Sequence, residues 1–359
     1  MNQNWLIYGA TGYSAKLIIK EAKKRGLSPI LSGRNKDAIE TLAAQEGLPS
    51  RVFDLSDVTA IAKNLQDVEL VLHCAGPFSK TSKVMIEACI QSKTHYFDIT
   101  GEIEVFEHAH SKDINARAKA ANIVVCPGVG FDVVPTDCIA ATLKKHMPDA
   151  SHLSLAFAGG TSLSPGTAKT TVESLGLKPK VRSEGVIQGA ALRTKIIDYG
   201  NGRGPLTNMN ISWGDVSTAY YSTQIPNVDV YIPASPRMLK KVKRSYWLKP
   251  LLQNSFVQKR IKAKIEQSVR GPDEEKRAKQ TTVVWGQVKN REGKVTTARV
   301  ETPNGYDVTV TAPLGIIDKM LNSPPQGSGS ITPSALMGAD YVTTLSGVSD
   351  IEIFTSSST

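Results

Sequence analysis

Cysteines, histidines and long apolar runs are scarce in this chain, and each scarcity removes a class of function. The four cysteines, Cys74, Cys89, Cys126 and Cys138, form no C-x-x-C pair and follow no regular spacing. That pattern fits reduced thiols inside a fold better than a disulfide framework or a zinc site. All six histidines lie before residue 153, and His108 and His110 are two apart, which on a helix turns them to different faces. No metal centre is expected. The most apolar stretch, ANIVVCPGVGFDVVPTDCIAATL, is broken by two prolines and two aspartates, so it does not read as a membrane span. The first residues, MNQNWLIYGATG, enter a strand-like pattern with no cationic segment and long apolar run ahead of it, and a cytoplasmic location is expected.

Several catalytic signatures are missing as well. No tyrosine is followed four positions later by lysine, there is no G-x-x-x-x-G-K-[ST] loop and there is no G-x-S-x-G elbow. What is present in excess is positive charge, and it is local. Of the net +10, residues 237–270 carry eleven Lys or Arg against one acid, Glu266, so the rest of the chain is nearly neutral.

The first 126 residues alternate short apolar runs with longer helical patterns. WLIY, PILSG, RVFD, ELVLHCA, HYFDI and NIVVC read as strands. KLIIKEAKKR, AIETLAAQE, VTAIAKNL, KVMIEACIQS and DINARAKAA read as helices. Val-, Ile- and Leu-rich strands alternating with helices imply a Rossmann-like, doubly wound parallel sheet of the α/β class. After residue 150 the texture changes to alternating β-type stretches, including TTVVWGQVKN and VTTARVETPNGYDVTVTA, with turns at Glu292-Gly293 and Asn304-Gly305. The expected organisation is a nucleotide-binding domain over residues 1–130 and an α+β domain rich in antiparallel strands over 131–325. After a flexible run, PPQGSGS, a C-terminal helix over 332–346, starting at Thr332 and Pro333, is expected to complete the first domain.

The stretch IYGATGYSA places Gly9, Gly12 and Ala15 after the first strand, in a G-x-x-G-x-x-A spacing. The physics of a dinucleotide loop applies: one glycine for the tight turn, one for close approach to a pyrophosphate, and a small residue for helix–strand packing. Gly9, Ala10, Thr11, Gly12, Tyr13 and Ser14 are the expected phosphate grip, facing the start of a helix. Strand two ends in Ser32-Gly33-Arg34-Asn35 with no acid for a ribose 2′-hydroxyl. Arg34 can fork onto a 2′-phosphate, so NADP is preferred to NAD, the alternative being a surface Arg in a turn. Asp54 is placed to meet the adenine edge or else to cap the turn at Leu55-Ser56-Asp57, and Ala75, Gly76 and Pro77 form a small loop where a nicotinamide ribose would lie. Asp132 and Glu102, on later loops of the same edge, are the candidate proton donors. The competing reading of Asp132, like Asp137, is a cap for the helix DCIAATLKKH.

The stretches GATGYSA, SGRN, CAGPF, KVMIEACIQSKTHYFDITGE, PGVGFDVVPTD, GGTSLSPGT, GPDEEKRAK, WGQV, ETPNGYDVTVTA and ITPSALMG run in order from residue 9 to residue 338. With them the chain resembles the saccharopine dehydrogenase-like oxidoreductases, in particular the branch containing the trans-acting enoyl reductases. The resemblance implies a nicotinamide-binding domain, with Gly9, Thr11, Gly12, Arg34 and the Gly76 loop at cofactor positions, and a β-rich domain shaping the substrate site and offering a surface for homodimer formation. Saccharopine-forming members have a Gly-x-Asp-Pro-Gly run where this chain reads Gly130-Phe131-Asp132-Val133-Val134. The nearer branch implies reduction of an enoyl C=C bond, or of a C=N bond, in a small-molecule or lipid-like, hydrophobic or carrier-linked substrate.

In the basic segment Val257, Ile261 and Ile265 recur every four residues between lysines and arginines, beside Tyr246, Trp247 and Leu248. Such a segment can lie peripherally on an anionic membrane, guide an acidic carrier, or be a solvated helix. Nucleic acid is not expected, since no recognised binding module accompanies the charge. A catalytically silent nucleotide-binding protein held at a membrane is the alternative to the enzyme.

Overall fold

The structure, a computed structural model, describes residues 4–159, 168, 172, 176–202, 204–269, 271–323 and 327–356. Residues 160–167 of GGTSLSPGT, Arg270 of the basic segment and residues 324–326 of the run read as flexible lie outside the described residues.

The chain divides into two compact units, the first made of Met1–Val134 with Tyr306–Ser346. Its six leading strands are β1 (Trp5–Tyr8), β2 (Ile30–Gly33), β3 (Ser50–Val52), β4 (Leu70–His73), β5 (His95–Asp98) and β6 (Val124–Cys126). They pair in parallel in the order β3-β2-β1-β4-β5-β6, and Gly329–Ser330 adds a seventh strand beside β6. Every residue of β1, β2, β4, β5 and β6 is buried, as a sheet covered on both faces demands. The covering helices are α1 (Tyr13–Lys24), α2 (Lys36–Glu46), α3 (Val58–Asn64), α4 (Phe78–Ser92), α5 (Ile103–Ala109) and α6 (Lys112–Ala120). α1 shows why such a segment is helical: Ala15, Ile18, Ile19 and Ala22 form one buried stripe, and Lys23 and Lys24 lie in the last turn, where cations oppose the helix dipole. α5 is absent from the sequence reading.

The second unit comprises Pro135–Gly305 with Gly347–Thr359. Its sheet runs Thr194–Ile197, Leu206–Ile211, Asn227–Pro233, His152–Ala158, Thr281–Lys289, Val295–Pro303, Glu352–Ser356; Lys180–Ser183 and Val186–Gly189 pair off this path. All pairings are antiparallel except that of Asn227–Pro233 with His152–Ala158. The Glu292-Gly293 turn joins two paired strands, with Gly293 at φ +90°. One face receives the helix Val134–His146 so closely that a methyl at Gly286 would meet Ile139 and Leu143. On the other face Ile197, Tyr199, Tyr231, Val283 and Trp285 pack together.

Two sequence expectations are corrected here. YDVTVTA is not a strand after a hairpin turn, because Gly305–Asn322 is an 18-residue helix that belongs, from Tyr306 on, to the first unit. Its residues Val308, Val310, Ala312, Leu314, Ile316 and Ile317 are buried nearly all round. An alternating Val/Thr pattern therefore carried no information about period, and burial overrode the strand preference of the β-branched residues. Residues 332–346 likewise do not make one helix. Pro333–Met337 ends at Gly338, whose φ of +105° breaks it, and Tyr341–Thr344 follows as a 3₁₀ turn. Thr332 occupies the N-cap position but makes no side-chain capping bond.

Candidate functional site

The strand order places a topological switch between β1 and β4, whose crossovers leave in opposite directions, and open α/β sheets bind ligands outside the carboxyl ends of such strands. Two loops meet there. Gly9 follows β1 with φ +86°, and a methyl at its position would lie 2.8 Å from the Ala75 amide nitrogen at the end of β4. Only glycine therefore lets the two loops adjoin. The Gly9 and Ala10 amides donate to the Ser32 carbonyl at 2.8 and 3.1 Å, and the Gly12 amide to the Gly9 carbonyl at 3.0 Å, so the turn is tied to β2 and to itself. Gly12 is the N-cap residue of α1 and offers no side-chain acceptor to the helix start. Ala15, buried on α1, packs the helix onto the sheet. Ala10 is buried, Thr11 exposed, and the Tyr13 ring stands edge-on to Tyr306 at 5.1 Å.

Arg34 is exposed at the end of β2, and Asn35 beside it caps α2 by accepting from the Ala38 amide. The Tyr8 hydroxyl donates to the Phe53 carbonyl at 3.1 Å and is pushed up to about 12, by burial first, then by the charge of Asp54, with Arg34 acting in the opposite sense. Those couplings bring Tyr8, Arg34 and Asp54 into one neighbourhood at the ends of β1, β2 and β3. Asp54 accepts from both the amide and the hydroxyl of Ser56, which hold its carboxyl below the usual range, so it closes the turn into α3.

Gly76 and Pro77 lead into α4, with Pro77 at the N-cap position. Glu102 supplies what proline cannot: its two carboxylate oxygens accept from the Phe78 and Ser79 amides, each at 2.8 Å. The carboxylate the sequence offered as a proton donor is thus engaged at the positive end of a helix, where an anion is favoured. On the far side of this loop His73 is buried and neutral, its titration depressed to about 3 by burial. Thr81 donates to the Ala75 carbonyl at 2.7 Å, so His73 Nε2, 2.9 Å from Thr81 Oγ1, carries the proton that Thr81 accepts.

Asp98, at the end of β5, was not singled out by the sequence, and it organises the next two loops. Its Oδ1 accepts from the amides of Thr100 and Gly128 at 3.0 and 2.8 Å, and its Oδ2 from the Tyr96 hydroxyl at 2.6 Å. Burial raises this carboxyl to about 6 against the lowering effect of those three bonds. One of the loops it holds carries Glu102, the other Asp132. Asp132 is half-buried, a methyl at Gly101 would approach its Oδ2 to 3.0 Å, and burial pushes its carboxyl up to about 6 as well. The Phe131 amide donates to Thr309 Oγ1 at 3.1 Å, fixing this loop to the helix Gly305–Asn322. The only signal for Asp98 in the sequence was its place at a strand end, which many aspartates share.

The second unit has its own polar cluster. Lys195 donates to Gln287 and Ser154 at 2.8 and 3.1 Å and lies over the Trp285 ring at 5.1 Å, beside a cavity of about 470 Å³. Burial lowers the amine to about 8, while nearby Asp229 is paired with Arg193 at 3.0 Å. Among the described residues no group of three or more His, Cys, Asp or Glu could hold a metal, and no helix is long and apolar enough to cross a membrane.

The geometry therefore fits a dinucleotide: a glycine turn at the switch point, a helix start with no side-chain cap, and a cation in place of the acid at the end of β2. Comparison with known proteins agrees for the first unit. The saccharopine dehydrogenase-like oxidoreductase of Arabidopsis thaliana named as probably mitochondrial is 30% identical over 148 residues, covering 37% of this chain and 32% of that protein. A trans-acting enoyl reductase of Mycobacterium leprae is 30% identical over 142 residues, covering 37% and 33%. The matched region thus spans about a third of the length of either relative. In fold the likeness extends further: the apo saccharopine dehydrogenase (L-Glu forming) of Saccharomyces cerevisiae superposes with a TM-score of 0.64 over 99% of this chain and 100% of that one, at 12% identity. Residues 5–126, about a third of the chain, match the family described as the saccharopine dehydrogenase NADP binding domain.

Proposed function

We propose that the chain is an NADP-dependent oxidoreductase that reduces a C=C (enoyl) or C=N bond in a hydrophobic or carrier-linked substrate. The observation that carries this reading is the adjoining of the Gly9 and Ala75 loops at the β1/β4 switch point, with Arg34 rather than an acid at the end of β2. NADPH supplies a hydride when bound. Residues Gly9 to Ser14 hold its pyrophosphate against the start of α1, and Arg34 forks onto the 2′-phosphate. Asp54 borders the adenosine side, and Ala75, Gly76 and Pro77 border the nicotinamide ribose. Glu102 positions that loop through the first amides of α4, which leaves the proton to Asp132, whose carboxyl titrates near the range a general acid needs. The name of the mycobacterial relative supports the enoyl form of the reaction.

Arg34→Ala tests the cofactor assignment. The Kd for NADPH should rise at least about ten-fold while that for NADH stays level, as expected when a bidentate charged contact is lost. An unchanged ratio of the two would overturn it. Transfer of hydride from NADPH to a member of a panel of enoyl and imine substrates, lost in Asp132→Asn, would support the chemistry. NADPH binding with no transfer to any of them would select a nucleotide-binding protein without turnover.

A further inference from the structure

The basic segment folds as three short helices, Pro236–Trp247, Lys249–Leu252 and Ser255–Ser268. The first two bury no residue at all. The apolar stripe read from the sequence, Val257, Ile261 and Ile265, is half-covered. The large apolar groups left in solvent are others: Trp247 at 88% exposure, Phe256 at 62%, Leu251 at 57% and Leu248 at 52%. The four lie within ten residues of one another, at the joints between these helices, a local concentration of exposed apolar groups on a protein surface. Around them residues 236–268 hold ten Lys or Arg and a single acid. Lys240, Lys241, Lys243, Arg244 and Lys249 are all exposed, and the Arg260 guanidinium lies 4.8 Å from the Phe256 ring.

We propose that this helical segment seats the protein peripherally on an anionic lipid surface, with Trp247, Leu248, Leu251 and Phe256 entering the headgroup region and the surrounding lysines and arginines meeting lipid phosphates and carboxylates. Two features select lipid over other occupants. A second copy of the same face would set ten cations against ten, which opposes association. Over an acidic protein, lipid is favoured because the exposed groups, an indole and leucines flanked by lysines and arginines, are the combination that the bilayer interface takes up together. The inference rests on the second unit alone and does not depend on the reading of the glycine loop.

The test uses the full chain with vesicles of phosphatidylcholine alone and with about 30% phosphatidylserine, read by flotation and by quenching from brominated acyl chains. Trp5 and Trp285 are buried, and Trp213 packs on Phe157 at 5.0 Å, so Trp247 should supply the quenched signal, and Trp247→Phe should abolish quenching without preventing flotation. Flotation should require phosphatidylserine and weaken in about 0.5 M salt. It should fall at least about ten-fold when Lys240, Lys241, Lys243 and Arg244 are neutralised, or in Leu248→Ser/Leu251→Ser. Unchanged melting temperatures would show that these exposed replacements leave the fold intact. Equal flotation of the intact and neutralised chains, binding independent of phosphatidylserine, or self-association in sedimentation velocity that Leu251→Ser abolishes without any vesicle binding would each overturn the proposal.

Discussion

Replacing Asp98 by asparagine isolates one buried charge. The Asp98 carboxyl, ordinarily at 3.8, sits at about 6 in the fold because burial outweighs its three hydrogen bonds. Between those values the native state binds the proton more tightly than the unfolded chain, so stability associated with this group is fully present below about pH 4 and is lost as pH rises through about 6. The displacement corresponds to about 3 kcal/mol. Asparagine keeps an oxygen for the Thr100 and Gly128 amides and an amide group facing the Tyr96 hydroxyl, but it cannot ionise. Urea unfolding of both proteins from about pH 4 to about pH 7.5 gives the stability difference, wild type minus Asp98→Asn. That difference should fall by roughly 2.5 kcal/mol across the range, the mutant gaining on the wild type as the medium becomes neutral. Asp132 titrates in the same window in both proteins and cancels. A difference flat to within about 1 kcal/mol would refute the claim that a buried carboxylate, only partly compensated by its three hydrogen bonds, ties these loops together.

Two further outcomes follow from the same geometry. Gly9→Ala should lose NADPH binding and about 3 kcal/mol or more of stability, since the new methyl meets the Ala75 backbone at 2.8 Å and φ is +86°; near-native affinity by calorimetry would contradict the close approach of the two loops. Glu102→Gln should lower stability by about 1–3 kcal/mol, because one of the Phe78 and Ser79 amides is left facing an NH2 donor and the other keeps only a neutral acceptor, while leaving the pH dependence of any turnover unchanged. A shifted pH profile there would instead make Glu102 the proton donor.

Much of the first unit was legible because its signals are local. Of its six leading strands all but β3, which reads Ser-Arg-Val, are short buried runs, each long helix has a stripe such as Ala15-Ile18-Ile19-Ala22, and the glycine spacing after β1 is a backbone requirement written directly in residue type. The reading failed where burial replaced pattern. The helix Gly305–Asn322 looks like a strand because, enclosed on nearly all sides, it needs no amphipathic period.

The chemistry of the candidate site divides in the same way. The sequence by itself determined the parallel α/β order of the first unit, the glycine turn, the absence of an acid after β2 and the concentration of positive charge in residues 237–270. Only the tertiary structure decided what each carboxylate does. Glu102 meets the start of α4 from 23 and 24 positions along the chain, Asp98 gathers an amide 30 positions away, and burial raises Asp98 and Asp132 alike. Hydrogen-bond partners and desolvation are properties of what packs around a side chain, and residue type and spacing do not encode them.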